Sequence, residues 1–190
     1  MSRADPWPRG RSRDGGIDEI PLPGVTGRLW LCGHRVVGPD PEAALARVGG
    51  DAIVCLCQRH ELADRYPDYV EWLDSADPDR ATWFPTPDLG VRPVDEFLVA
   101  VDAVVERLRS GRAVIVHCAA GIGRSGTLAA GVLLRLGLDH DRALAEVAAH
   151  RPTAGPEVGA QADLIRDVAA RPAVEAPDDT PDGRPGVSAG

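Results

Sequence analysis

The stretch Ala113–Thr127 reads AVIVHCAAGIGRSGT. Its first six residues, Ala113–Cys118, open on the apolar run Ala113–Val116 and read as a buried strand covered on both faces. The strand ends by delivering a thiol, Cys118, into a short loop that passes straight into a predicted helix over about 124–136. Gly121, Gly123 and Gly126 let the backbone of that loop curl with little side-chain obstruction. Successive N–H groups can then face inward and make an anion-binding nest at a helix N-terminus: Ala119, Ala120, Gly121, Ile122, Gly123 and Arg124 around an anion. At the base of this positive ring the thiolate of Cys118 is favoured. Arg124 closes the ring with a planar guanidinium that grips two oxygens of an anion at once. Ser125 follows, with a hydroxyl placed to bond the sulfur when it becomes a leaving group.

Working outward, apolar strands alternate with helical periodicity. Arg28–Cys32 and Ala52–Cys57 read as strands, and Thr82–Pro85 as a shorter one. A helix opens at Asp40-Pro41-Glu42 and closes at Gly49-Gly50, and a helical region near 61–74 is interrupted at Pro67. Pro93 to Ser110 carries Val94, Phe97, Leu98, Val101, Val104, Val105 and Leu108 on one face, with acids in its first turn and arginines in its last. Helices at about 140–150 and 157–170 complete the order. The fold class is therefore α/β, a central, mostly parallel sheet of four to five strands with helices on both faces. In such sheets ligands bind beyond the C-terminal strand ends, which is where Cys118 lies.

The run His117 to Ser125 resembles the HCxxGxxR[ST] signature of the cysteine-dependent protein tyrosine phosphatases. Its place two-thirds along the chain matches the dual-specificity branch, and the likeness spans roughly residues 26–170. Length and layout are closest to small phosphatases of the cyclin-dependent kinase inhibitor 3 type. A P-loop NTPase does not fit, since the chain has no GKS or GKT and no lysine. The resemblance implies a tyrosine-phosphatase-like fold and hydrolysis of a phosphomonoester through a cysteinyl-phosphate, with no cofactor and no metal. It assigns Cys118 as nucleophile, Arg124 as phosphate clamp, Ser125 as the aid to sulfur's departure, and His117 as a support that orients loop carbonyls. The acid that such chemistry demands is implied by Phe84-Pro85-Thr86-Pro87-Asp88, which looks like the family's acid loop and places Asp88 thirty residues before Cys118. Arg151-Pro152 and Gln161 resemble the segment before the last helix. Pro156 departs from that pattern, and Glu157 stands where the longer tyrosine phosphatases position a water with Gln. A first-turn Glu also has an ordinary helix-dipole explanation.

The whole chain has 190 residues and a formal charge of −8, with all 21 basic residues arginine and only eight aromatics. Such a chain lacks the cationic stacking surface of nucleic-acid binders and is repelled by anionic membranes. With no long apolar run and no leader-like N-terminus, the expectation is a cytoplasmic monomer acting on a phosphorylated protein. The four Cys contain no CxxC pair and read as reduced thiols. Residues 1–20 and 172–190, rich in Pro, Gly and charge, are expected to be disordered, leaving a phosphatase domain over 21–171. Uncharged residues at the loop's variable positions favour a phosphoprotein (phosphotyrosine, with phosphoserine or phosphothreonine open) over a multiply phosphorylated inositol. Arg59, His60 or Arg92 at the cleft mouth would weaken that preference. A catalytically weak phospho-binding module, or a phosphatase for a small-molecule or inositol phosphate, is the alternative. Cys57, read as the end of its strand beside Cys118, is a candidate redox partner that would trap an oxidised Cys118.

Overall fold

The computed structural model describes residues 16–171. At its centre lies Ala113–Cys118, buried at every position. Named in chain order, the strands are β1 (Ile17–Ile20), β2 (Arg28–Gly33), β3 (Ala52–Cys55), β4 (Ala81–Trp83) and β5 (Ala113–Cys118). They form one sheet in the order β1-β2-β5-β3-β4. β5 pairs in parallel with β2 on one side and β3 on the other, β4 extends the sheet in parallel, and β1 closes the far edge antiparallel to β2. A strand with parallel neighbours on both sides and helices on both faces has no exposed face, which is why AVIVHC shows no alternation of apolar and solvent-facing residues.

The helices are α1 (His34–Val37), α2 (Pro41–Val48), α3 (Arg59–Leu62), α4 (Pro67–Ser75), α5 (Val94–Arg109), α6 (Gly123–Arg135), α7 (His140–His150) and α8 (Gly159–Ala169). Alternate sheet residues go to opposite layers. Leu29, Leu31, Val54, Val114, Val116 and Cys118 pack with Phe97, Val101, Leu128, Leu133 and Ile165 of α5, α6 and α8. Trp30, Cys32, Ile53, Cys55 and Ile115 pack with Leu45, Tyr69 and Leu73 of α2 and α4. Burial of each large side chain in these layers contributes about 1.5–3 kcal/mol. α6 is the most enclosed helix: its first eight residues, Gly123 to Ala130, are all buried, so the loop that precedes it is held by the core itself.

Several boundaries differ from the sequence reading. Residues 17–20, expected to belong to a disordered arm, are strand β1. IDEI places two acids inside a four-residue strand, and the partner that offsets buried Asp18 is Arg151, far along the chain. Nothing local could reveal it. Residues 1–15 and 172–190 lie outside the described residues. β3 stops at Cys55, so Cys57 is two residues past the strand rather than its end. β4 begins one residue earlier than Thr82–Pro85, and it ends before Pro85, which cannot donate to a ladder. The region near 61–74 is two helices, and Pro67 is the N1 residue of the second. α8 starts at Gly159, so Glu157 precedes the helix.

Candidate active site

Cys118 ends β5 at the C-terminal edge of the sheet and is 3% exposed. Its Sγ accepts a hydrogen bond from the Gly121 N–H at 3.2 Å and lies 3.4 Å from the Ser125 hydroxyl. A sulfur anion at this point has two donors, one from the loop backbone and one from the first turn of α6. Gly121 sits at φ +73°, and a Cβ there would come within 2.3 Å of the Cys32 backbone. The tight curl over the thiol therefore needs glycine at this position.

The loop is braced from behind by Arg151, the residue that follows α7. Its guanidinium donates to the carbonyls of Gly121, Ala120 (3.1 Å) and Leu31 (3.3 Å), and pairs with Asp18 of β1 at 2.6 Å. The Ala119 carbonyl accepts from the His34 N–H at 3.2 Å. Carbonyls held outward in this way leave the opposite edges of those peptides facing the thiol. His117 is fully buried, its Nε2 2.6 Å from the Tyr69 hydroxyl and its Nδ1 3.4 Å from the Cys118 carbonyl. It is a supporting group on the far face from Cys118.

Arg124 stands in front of the loop. It donates to both carboxylate oxygens of Glu61 (2.7 and 2.8 Å) and to the Thr86 carbonyl (2.9 Å). Its Nη2 is also 3.1 Å from Asp88. Its Nε–H has no protein partner among the described residues. Burial works against the guanidinium's charge, yet the hydrogen bonds to Glu61 and that carboxylate's charge outweigh it and hold the charge more firmly than usual. For Glu61, burial pushes the carboxyl up, but hydrogen bonds from Arg124 and the Gln58 N–H prevail and hold it below the usual range.

Asp88 is largely solvent-exposed on the loop between β4 and α5, with its carboxylate turned onto Arg124. Leu89 beside it adopts φ +54°, a conformation uncommon for a bulky residue. Buried Gln161 of α8 donates to the Gly90 carbonyl at 3.3 Å and accepts from the Glu157 N–H at 2.9 Å, tying the Asp88 loop to the segment before α8. The Glu157 carboxylate lies against Gly123, where a Cβ would stand 1.9 Å from its oxygen. At the mouth, Arg59 is paired with Asp74 and stacked on Trp83, while Arg92 is paired with Glu96 and lies over Phe84.

The structure thus brings Cys118, Ser125, Arg124 and Asp88 to one edge of the sheet, with Ala119 to Gly123 forming the curl between them. All four cysteines are free, and Cys57 packs in the opposite layer from Cys118. Sequence reasoning did not single out Glu61, Asp18 or Tyr69. The Gln58…Glu61 capping pair immediately after β3 carried a local signal for Glu61, since it fixes that side chain at the strand's C-terminal end. No helix among the described residues is long and apolar enough to cross a membrane.

Solved structures with this fold include Tk-PTP in its active form, at 26% identity and TM-score 0.62, with 80% of this chain and 97% of that one covered. Kinase associated phosphatase, with its catalytic-site cysteine substituted by serine, aligns at 22% identity and TM-score 0.68 over 85% of this chain and 99% of its own. PTPMT1 aligns at 17% identity and TM-score 0.62, covering 74% and 88%. No curated protein sequence matches. The sequence profile described as "PTP-SAK: Swiss Army Knife protein, DSP-PTPase phosphatase domain" matches residues 28–176. That span holds β2 to α8 with the whole thiol loop, and the chain belongs to this family of DSP-PTPase phosphatase domains.

Proposed function

We propose that this protein hydrolyses phosphomonoesters on phosphorylated proteins without a metal, through a cysteinyl-phosphate formed on Cys118. The observation that carries the reading is the convergence of Cys118 Sγ, the Gly121 N–H, the Ser125 hydroxyl and the Arg124–Asp88 pair at one strand end. The Cys118 thiolate attacks phosphorus in line, forming the S–P bond as the ester P–O bond breaks. Arg124, through its Nε–H, and the loop N–H groups hold the equatorial oxygens. The phosphoryl oxygens displace the Asp88 carboxylate from Arg124; it takes up a proton from solvent and gives it to the departing phenol or alcohol oxygen. Asp88 then takes a proton from the water that attacks the cysteinyl-phosphate. Inorganic phosphate leaves and Ser125 donates to the returning thiolate. The Arg and amide cradle supplies the positive charge that metal ions supply in other phosphoryl-transfer sites.

The cleft's charge supports this substrate class. The curl itself bears no cation between Cys118 and Arg124, and Arg59 and Arg92 already have carboxylate partners. This supports a site built for one phosphate rather than several. In this reading the protein works as a cytoplasmic monomer, and its partners are phosphoproteins rather than nucleic acid or membrane.

Initial rates on p-nitrophenyl phosphate and a phosphotyrosine, phosphoserine and phosphothreonine peptide panel, in EDTA, test it. Wild type turns over and Cys118→Ser does not, while Cys118→Ser still binds a phosphate analogue. Residual Cys118→Ser activity within tenfold of wild type overturns the mechanism. Phosphopeptide capture without turnover by wild type would make the protein a binding module instead.

A further inference from the structure

The sheet's other face carries a second group of reactive side chains that phosphoryl transfer does not use. In the β3–β5 register Cys55 is level with His117, and both point into the layer that holds Ile53 and Ile115. Cys57, two residues beyond Cys55, packs in the same layer. The two sulfurs and a ring nitrogen of His117 lie within 4.8 Å of one another, and all three residues are buried. Tyr69 of α4 covers the group, its hydroxyl 2.6 Å from His117 Nε2 and its ring tilted against the imidazole.

Two thiols and an imidazole in a closed pocket are a soft donor set, of the kind that selects zinc over magnesium or calcium. Their charge also fits. Two thiolates, a neutral imidazole and a divalent cation sum to zero, so the ion removes the cost of burying the thiolates. Zinc–sulfur bonds of about 2.3 Å and zinc–nitrogen bonds of about 2.0 Å bring tetrahedral ligands to within ~4 Å of each other, a small contraction from the spacing present.

We propose that Cys55, Cys57 and His117 bind one zinc ion behind the catalytic loop, with the Tyr69 hydroxyl as the oxygen donor beside them. Binding exchanges two S–H bonds for two zinc–thiolate bonds and releases two protons to solvent. The site is structural. It ties β3 to β5 at the residue next to Cys118 and supplies no step of the reaction.

The test is the metal content of the full chain grown with added zinc and desalted, together with titration of the metal-free protein with Co²⁺. Wild type and Cys118→Ser are expected to retain one zinc per chain and to give an intense thiolate-to-cobalt absorption. Cys55→Ser and Cys57→Ser are expected to lose both. Zinc absent from wild type, zinc kept by the Cys55 or Cys57 variants, or zinc lost with Cys118→Ser each overturns the proposal. Should the Ser variants fail to fold, thiol alkylation mapping of wild type decides: zinc must protect Cys55 and Cys57 and leave Cys32 as reactive as before. Turnover is scored separately, because an active enzyme without zinc refutes only this site.

Discussion

Two buried arginines bracket the same loop and do opposite work. Behind it, Arg151 and its partner Asp18 have side chains 2% and 3% exposed, and the guanidinium also donates to the Gly121, Leu31 and Ala120 carbonyls. In front, Arg124 is 2% exposed, but its carboxylate partners grade outward from Glu61 at 14% to Asp88 at 69%. The rear arginine is sealed and holds shape. The front one is anchored on one edge by Glu61 and open on the other, where an exposed ion pair is weak enough for an incoming anion to exchange. An anion clamp needs both: a charge fixed in direction, and hydrogen-bonding capacity not yet committed.

The widest separation between them should come from substituting each in turn. Arg124→Lys is expected to cut turnover ~10²–10³-fold or more with little change in unfolding midpoint, since an ammonium cannot reproduce the two-point grip. Arg151→Met removes one partner of the buried Arg151–Asp18 ion pair, together with the bonds to the loop carbonyls, and is expected to cost about 3–5 kcal/mol in denaturant unfolding. Equal stability losses in the two variants would remove the distinction.

Asp88→Asn sharpens the front side further. It should slow alkyl and phenyl phosphates by ~10²–10⁴-fold while barely affecting stability. Substrates with good leaving groups need little protonation and should suffer less. Equal slowing on both types would make Asp88 a structural partner of Arg124 and nothing more.

The smallest effect is the pH dependence of the Glu61 anchor. Its carboxyl is held below the ordinary value of 4.5 by Arg124 and the Gln58 N–H, so its contribution to stability is present above that value. It is lost as pH falls through the lower, folded-state value. Glu61→Gln should therefore flatten the acid side of a stability-against-pH curve. An unchanged acid limb would mean that Glu61 does not anchor Arg124 through its charge.

The same contrast explains what the sequence disclosed. The front of the site is local: Cys118, Gly121, Arg124 and Ser125 occupy one strand-loop-helix passage, and their chemistry follows from their order. Asp88 came from a second contiguous segment, bounded by prolines. The back of the site is long-range. Asp18 and Arg151 are 133 residues apart, and a short strand containing two acids has no apolar alternation to announce it. Buried β5 and amphipathic α5 were legible because burial on two faces and on one face leave different periodicities. Cys55 reads merely as core, and Cys57 as a redox partner for Cys118. Only the β3–β5 register, which sequence does not disclose, places them beside His117.

The central claim is that phosphorus passes through Cys118. Asp88→Asn mixed with p-nitrophenyl phosphate and quenched in acid within the first turnover should yield a Cys118-containing peptide heavier by one phosphoryl group, because loss of the base slows hydrolysis of the intermediate. Nitrophenol released in a first-turnover burst from protein whose Cys118 peptide is unmodified would contradict the account.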